Sequence, residues 1–286
     1  MTRFNFFLLW LLHFLPNAAL TRLGRLFGAL LYALAKERRH VASTNLRLCF
    51  PEKSEAERTA LAREHFALVG QTLFERVILY WGSEERLKRM IRIEGAENLS
   101  ALHGQPVIIF CFHSVGMEVA WIRLTMVQHL AVFHARMKNA ELEERLMARR
   151  NRFQPARLVS NKEGIKPALE VIRSGTPLTY LPDMDFGRKH SIFVPFFAAN
   201  AATIPGLSRM AAATGAKVVP LIPTLTPEGW VVNVGPAWEN FPTDDVVADT
   251  RRMNAFIEEW VLHHPAQYWW LHKRFKTRPE GEKSVY

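Results

Sequence analysis

The chain has 286 residues, 49% of them hydrophobic and 22% charged, enough for one large domain or two small ones with a proper core. That composition excludes a disulfide miniprotein, a collagen-like repeat and a disordered tail. Thirty-seven Lys and Arg against 27 Asp and Glu leave a net charge of +10, which points to an anionic partner: nucleic acid, an acidic protein or a phosphate-bearing lipid.

The amino terminus separates those partners. Residues 4–15 (FNFFLLWLLHFL) are almost wholly apolar between Arg3 and Pro16. Twelve helical residues span about 18 Å, short of a hydrocarbon core of roughly 30 Å. A second apolar stretch, 18–35, places Leu20, Leu23, Phe27, Leu30, Leu31 and Leu34 at helical spacing. Residues 1–40 hold six Lys or Arg and one acid. No small-residue cleavage site precedes a polar start, which argues against a signal peptide. The segment reads as a buried hairpin or as a membrane anchor, either a Pro16-kinked span or an in-plane helix. Trp10, Arg3 and the Lys36–Arg39 run favour the anchor. The expected organisation is a membrane-attachment segment over 1–40 and a single domain over 41–286.

Residues 54–80 read as one long amphipathic helix, with Ser54 as N-cap and Glu57 three positions on. Beyond Gly82 short apolar runs alternate with helical stretches. The runs are 91–93, 107–112, 130–134, 158–159, 178–181, 218–222 and 230–234; the helices are 119–128, 140–151, 164–174 and 206–214. Such alternation predicts an α/β fold, a mostly parallel central sheet flanked by helices. Residues 107–112 are apolar at every position, as in a central strand covered on both faces. A last helix is expected over 245–263, ahead of an aromatic and basic tail.

The central strand runs directly into His113, with Glu118 five residues on. On an ideal helix that spacing puts the two about 140° apart. They meet only if His113 lies in the strand-to-helix turn and Glu118 in the first helical turn, with Gly116 easing the bend. The expectation is a His113 general base whose ring is held by Glu118. No nucleophile elbow, paired C-x-x-C, H-E-x-x-H or P-loop pattern occurs. The two cysteines, Cys49 and Cys111, form no disulfide framework and fit a reducing compartment. No metal or cofactor is expected. Arg136, Lys138 and Asn139 at the next strand end suit a phosphate or carboxylate, and Arg149, Arg150 and Arg152 extend the basic patch. Asp183 can bind a substrate hydroxyl, pair with Arg136 or cap a turn. Residues 191–197 are densely apolar and either line an acyl pocket, with Phe193, Phe196 and Phe197 as candidates for its floor, or pack the core, the commoner role of an aromatic cluster. Aromatics mixed with cations over 269–276 suit a lipid interface or nucleic acid; the apolar amino terminus favours lipid.

Several ordered blocks together resemble the lipid A biosynthesis acyltransferases, most closely their lauroyl-transferring branch, within the wider glycerolipid acyltransferases. The blocks are NLRLCFPE at 45–52, the H-x4-E element His113 to Glu118, PDMDFG at 182–187, FVPFF at 193–197 and YWWLHKRFKTRPEG at 268–281. The resemblance covers nearly the whole chain. The chain departs from frequent family patterns at residues 114–117, at Met184 in place of a polar residue, and at Lys273 in place of an arginine.

The resemblance implies transfer of a fatty acyl chain, lauroyl for that branch, from acyl carrier protein to a hydroxyl of a Kdo-bearing lipid A precursor. His113 and Glu118 match the family's catalytic dyad, and no covalent acyl-enzyme is implied. Arg136, Lys138, Asn139 and Arg152 fall where the family handles phosphates or the reacting carbonyl, and Asp183 matches its second acidic block. The implied partners are acyl carrier protein, an anionic glycolipid and the inner membrane with the catalytic domain on its cytoplasmic face, not nucleic acid. The rival readings are acylation of a lysophospholipid or ornithine-type lipid, and a non-catalytic basic membrane-binding module.

Overall fold

A computed structural model describes residues 3–134, 139–160 and 163–286. Four helices open the chain: α1 (Arg3–Leu12), α2 (Asn17–Leu34), α3 (Lys36–Cys49) and α4 (Glu55–Trp81). Pro16, without an N–H to donate, stands between the first two. α4 begins with the expected capping box: Glu57 N donates to Ser54 Oγ at 3.2 Å and Ser54 N to Glu57 Oε2 at 2.7 Å. These two bonds satisfy amides that a helix start leaves open.

α2 lies against α4 where glycines let the backbones touch. A Cβ on Gly28 would stand 2.2 Å from the Phe66 carbonyl oxygen, and one on Gly70 would stand 2.1 Å from that of Gly24. Arg25 and Glu64 close the crossing with two hydrogen bonds of 2.9 and 2.7 Å. Leu20 is fully buried, whereas Leu23, Leu26, Phe27, Leu30 and Leu34 of α2 are exposed. Phe7, Leu8, Leu11 and Phe14 extend that exposed apolar surface through α1 and the turn after it. α2 and α3 meet at 92°, and residue 40, the expected domain limit, falls inside α3. Among the described residues no single helix is long and apolar enough to cross a membrane.

The remainder alternates strand and helix: α5 (Glu84–Met90), β1 (Ile91–Glu94), α6 (Glu97–Ser100), β2 (Val107–Phe110), α7 (Met117–Thr125), β3 (Ala131–His134), α8 (Ala140–Arg150), β4 (Arg157–Ser160), α9 (Lys166–Arg173) and β5 (Leu178–Tyr180). A hairpin follows, β6 (Ile192–Phe196) and β7 (Ala199–Thr203), and then α10 (Gly206–Thr214), β8 (Lys217–Thr226), β9 (Gly229–Val234) and α11 (Val246–His263). The described strands form a sheet of order β1-β9-β8-β2-β5-β3-β4, with β6 and β7 apart from it. Every neighbouring pair in the large sheet is parallel except β8 with β9. The expected mostly parallel α/β sheet flanked by helices is therefore present.

β2 is buried on both faces, as its unbroken apolar run predicts. Ile108, Phe110 and Phe112 pack with Leu207 and Met210 of α10, while Ile109 and Cys111 pack with Val119 and Ala120 of α7. The helices that leave β2 and β5 therefore cover opposite faces of the sheet. Such a divergence opens a crevice beyond the carboxyl ends of the strands, where open α/β sheets hold their ligands.

Candidate functional site

β2 and β5 are adjacent, with Phe110 opposite Tyr180, and the bond from Cys111 N to Tyr180 O (3.0 Å) carries the pairing one residue further. His113 and Asp183 each lie three residues beyond that pair and meet at the mouth of the crevice. His113 Nδ1 stands 2.7 Å from Asp183 Oδ1, and the His113 backbone N–H donates to Oδ2 at 3.0 Å. The Tyr268 hydroxyl donates to the same Oδ2 at 3.1 Å. The carboxylate only accepts, so Nδ1 carries a proton, and in the neutral ring the lone pair is then on Nε2. Nε2 has no hydrogen-bond partner among the described residues, and His113 lines the cavity.

Asp183 is fully buried. Burial pushes its carboxyl up, but the charge of the His113 ring and the hydrogen bonds from His113 outweigh it and hold it down at about 2. The carboxylate thus stays ionised beside the imidazole, fixing one tautomer and stabilising the imidazolium once formed.

The carboxyl-terminal segment holds this pair in place. Ser114 forms an antiparallel bridge with Tyr268, and Trp269 N donates to the His113 carbonyl at 3.1 Å. Asn45 of α3 donates to the carbonyls of Trp270 and His272 at 2.9 and 2.8 Å, so the two ends of the chain clamp the loop after β2.

Glu118 departs from the expectation. It does lie in the first turn of α7, but its oxygens are engaged elsewhere. Arg150 holds them in a fork, Nε at 2.7 Å and a terminal nitrogen at 2.6 Å, and the Tyr80 hydroxyl donates at 2.8 Å. Burial pushes the Glu118 carboxyl up, yet the Arg150 hydrogen bond and charge carry it below its ordinary value. The ring of His113 is held by Asp183, not Glu118, because register places Asp183 on the neighbouring strand while α7 turns Glu118 toward α4 and α8. Glu118 instead fixes Arg150, which itself lines the cavity.

The other expected residues divide. Arg136 and Lys138 lie outside the described residues. Asn139 is exposed and caps α8, accepting from Leu142 N at 3.0 Å. Arg152 does not face the cavity: it donates to the carbonyls of Tyr80 and Gly82 at 3.1 and 2.6 Å, closing the end of α4. Asp183, fully buried, accepts from His113 and Tyr268. Phe196 is fully buried against Tyr268 and Phe275, and none of Phe193, Phe196 and Phe197 lines the cavity. Among the described residues no group of three His, Cys, Asp or Glu could hold a metal ion.

The cavity measures about 1100 Å³, at the upper end of ordinary ligand cavities. Its deeper wall is apolar, including Ala120, Leu124, Leu130 and Val132 toward α7, with Leu169 and Met210 toward α9 and α10. Cys111 lines it as well, but burial pushes the thiol well up, so it stays protonated and a poor nucleophile. An oriented base at the rim of an apolar slot can take a proton from a hydroxyl poised against an acyl carbonyl. In the sequence Arg150 is one cation of a basic run; its pairing with Glu118, 32 residues earlier, is what distinguishes it.

Residues 2–277 match the family model of the bacterial lipid A biosynthesis acyltransferases. The chain is 31% identical to lipid A biosynthesis palmitoleoyltransferase of Escherichia coli (strain K12), over 100% of this chain and 94% of that protein. It is 31% identical to the lauroyltransferase of the same strain, over 97% and 92%. It is 34% identical to the myristoyltransferase of that strain, over 93% and 83%.

Proposed function

Because the chain belongs to the bacterial lipid A biosynthesis acyltransferases, we propose that it moves a fatty acyl chain from acyl carrier protein to a hydroxyl of a Kdo-bearing lipid A precursor, using His113 as the base. One observation carries the mechanism: Nδ1 of His113 is tied to a buried carboxylate, while Nε2 has no partner among the described residues and His113 lines a largely apolar cavity.

The acceptor hydroxyl gives its proton to Nε2 as its oxygen bonds to the thioester carbonyl carbon. Asp183 stabilises the imidazolium. The tetrahedral oxyanion is placed against the Arg150 guanidinium, which Glu118 and Tyr80 hold in position. Collapse breaks the carbon–sulfur bond, the ester is released, and the leaving thiolate takes the proton back from His113. No acyl-enzyme forms, in keeping with a buried, protonated Cys111.

The acyl chain enters the apolar depth of the cavity. Its length is a property of that lining rather than of overall likeness, since relatives of near-equal identity are named for palmitoleoyl, lauroyl and myristoyl groups. The net charge of +10 suits an acidic carrier protein and a phosphorylated acceptor. The exposed apolar faces of α1 and α2, with Arg22, Lys36 and Arg38 exposed nearby, seat the enzyme in the interface of the inner membrane on its cytoplasmic side.

The test is transfer by purified protein in detergent. Lauroyl-, myristoyl- and palmitoyl-carrier protein are offered against a Kdo-lipid A precursor, a lysophospholipid and an ornithine-type lipid. Transfer to the Kdo precursor is the expected result. Transfer only to another lipid overturns the acceptor, and transfer to none of them overturns the reading.

A further inference from the structure

The cavity lining carries charge that the acyl transfer does not use. Among the described residues not one Asp or Glu lines the cavity, whereas Arg150, Lys189, His190 and Arg209 do. Arg150 is neutralised by Glu118. Lys189 and Arg209, both exposed, have no ion pair among the described residues, although Lys189 comes from the loop after β5 and Arg209 from the first turn of α10. The carboxylates of that loop are already committed: Asp183 to His113, and Asp185 to the Thr277 hydroxyl and the Thr277 and Gly187 amides. Arg188, the third cation of the loop, turns away to donate to the Arg278 carbonyl at 2.6 Å and stack on Phe193.

A second observation falls on the same wall. Ser191 lines the cavity next to Lys189 and His190, and its Oγ is buried without a hydrogen-bond partner among the described residues. Such a hydroxyl is costly to leave unpaired, and since it is closed off from the cavity in this rotamer, a turn about χ1 is what would present it to a ligand there. Two uncompensated cations and an orphan hydroxyl in one cavity form the donor set of an anion site. The cations give long-range attraction and the hydroxyl a directed hydrogen bond.

We propose that Lys189, Arg209 and Ser191 form a phosphate-binding site in the wall of the cavity, taking a phosphate group carried by one of the two substrates. The proposal rests on the acyl-transfer reading for the identity of those substrates. Two sources share this chemistry: a phosphomonoester on the acceptor sugar, and the phosphodiester of the donor's pantetheine arm. Either would register its substrate against His113 from a fixed point in the wall.

The experiment measures binding of the acceptor with and without its phosphates in detergent micelles, and the KM for acyl carrier protein against an acyl-pantetheine lacking phosphate. The wild type is compared with Ser191→Ala and with the double variant Lys189→Ala and Arg209→Ala. The double variant is expected to bind the phosphorylated substrate about 10- to 100-fold more weakly, the range of one or two charge-assisted hydrogen bonds, and Ser191→Ala more modestly so. The phosphate-free counterpart is expected to bind as in the wild type. A loss confined to the acceptor, or to the donor, identifies the source. Wild-type affinity of both variants for every phosphorylated ligand overturns the proposal, and so does an equal loss with and without phosphate. A wild type that binds but transfers nothing refutes the acyl-transfer reading, and the binding comparison still decides the phosphate site.

Discussion

Two buried carboxylates adjoin residues of the cavity lining, and each is held by a different partner. Asp183 answers to His113 and Glu118 to Arg150. If Glu118 acts by fixing Arg150, then Glu118→Ala and Arg150→Ala lower kcat by similar factors, and the double variant loses little more than either. Multiplicative losses in that cycle would contradict the assignment. Glu118→Ala also leaves Arg150 without its counter-charge, so a stability loss of about 3–5 kcal/mol accompanies it, as for a broken buried pair. His113 was legible in the sequence because a wholly apolar strand ends on it. The role of Asp183 was not, since its contact with His113 depends on β5 lying beside β2, and the chain visits β3 and β4 in between. The tight five-residue spacing of His113 and Glu118 drew attention to the wrong partner.

At the scale of elements, the glycine crossing of α2 on α4 is a contact that a single methyl group disturbs. Gly28→Ala places a carbon 2.2 Å from the Phe66 carbonyl oxygen, a backbone atom that no rotamer change relieves. Overpacking of this kind costs about 1–3 kcal/mol, and a chain of this size loses roughly 2–4 °C of melting temperature per kcal/mol. A melting curve unchanged from the wild type would mean the helices are not in contact there. The periodic elements of this protein were readable, α4 from its capping box and β2 from its apolar run. The β6–β7 hairpin was only half visible. Its first strand shows as an apolar run, but β7 reads ANAAT, weak in strand formers. The turn places Phe197 at φ 53 with no Gly or Asn at that position to announce it. Its backbone N–H is held instead by Glu258 at 2.9 Å, a partner 61 residues away. The apolar amino terminus was legible as composition, whereas which face of α2 packs and which stays bare follows from Gly24 and Gly28 of α2 meeting Gly70 of α4.

Over the whole molecule, burial of neutral histidines sets the response to acid. His65 is fully buried and burial pushes its ring down to about 4, against a hydrogen bond to the Ala266 carbonyl. His272 is pushed down to about 4 by burial too, although Asp183 pulls the other way. Unfolded, both rings return to their ordinary value near 6.5, so between pH 6.5 and 4 the unfolded chain binds more protons. Stability therefore falls as pH drops through that window, by up to about 1.4 kcal/mol per pH unit for each ring. Asp183 and Glu118, both lowered, add their own loss at still lower pH. Melting temperatures recorded from pH 7 to 4 should decline, and His65→Gln should flatten part of the slope; a flat wild-type profile would contradict neutral burial of these rings.

The central claim is that His113, aligned by Asp183, removes the acceptor proton. It is tested most directly by the single-turnover rate of acyl transfer in Asp183→Asn beside His113→Ala, with substrates saturating. Positioned base catalysis contributes about 10²–10⁴-fold, so both variants are predicted to lose at least about 100-fold while binding the two substrates as the wild type does. An Asp183→Asn enzyme working within a few-fold of the wild type would contradict the account.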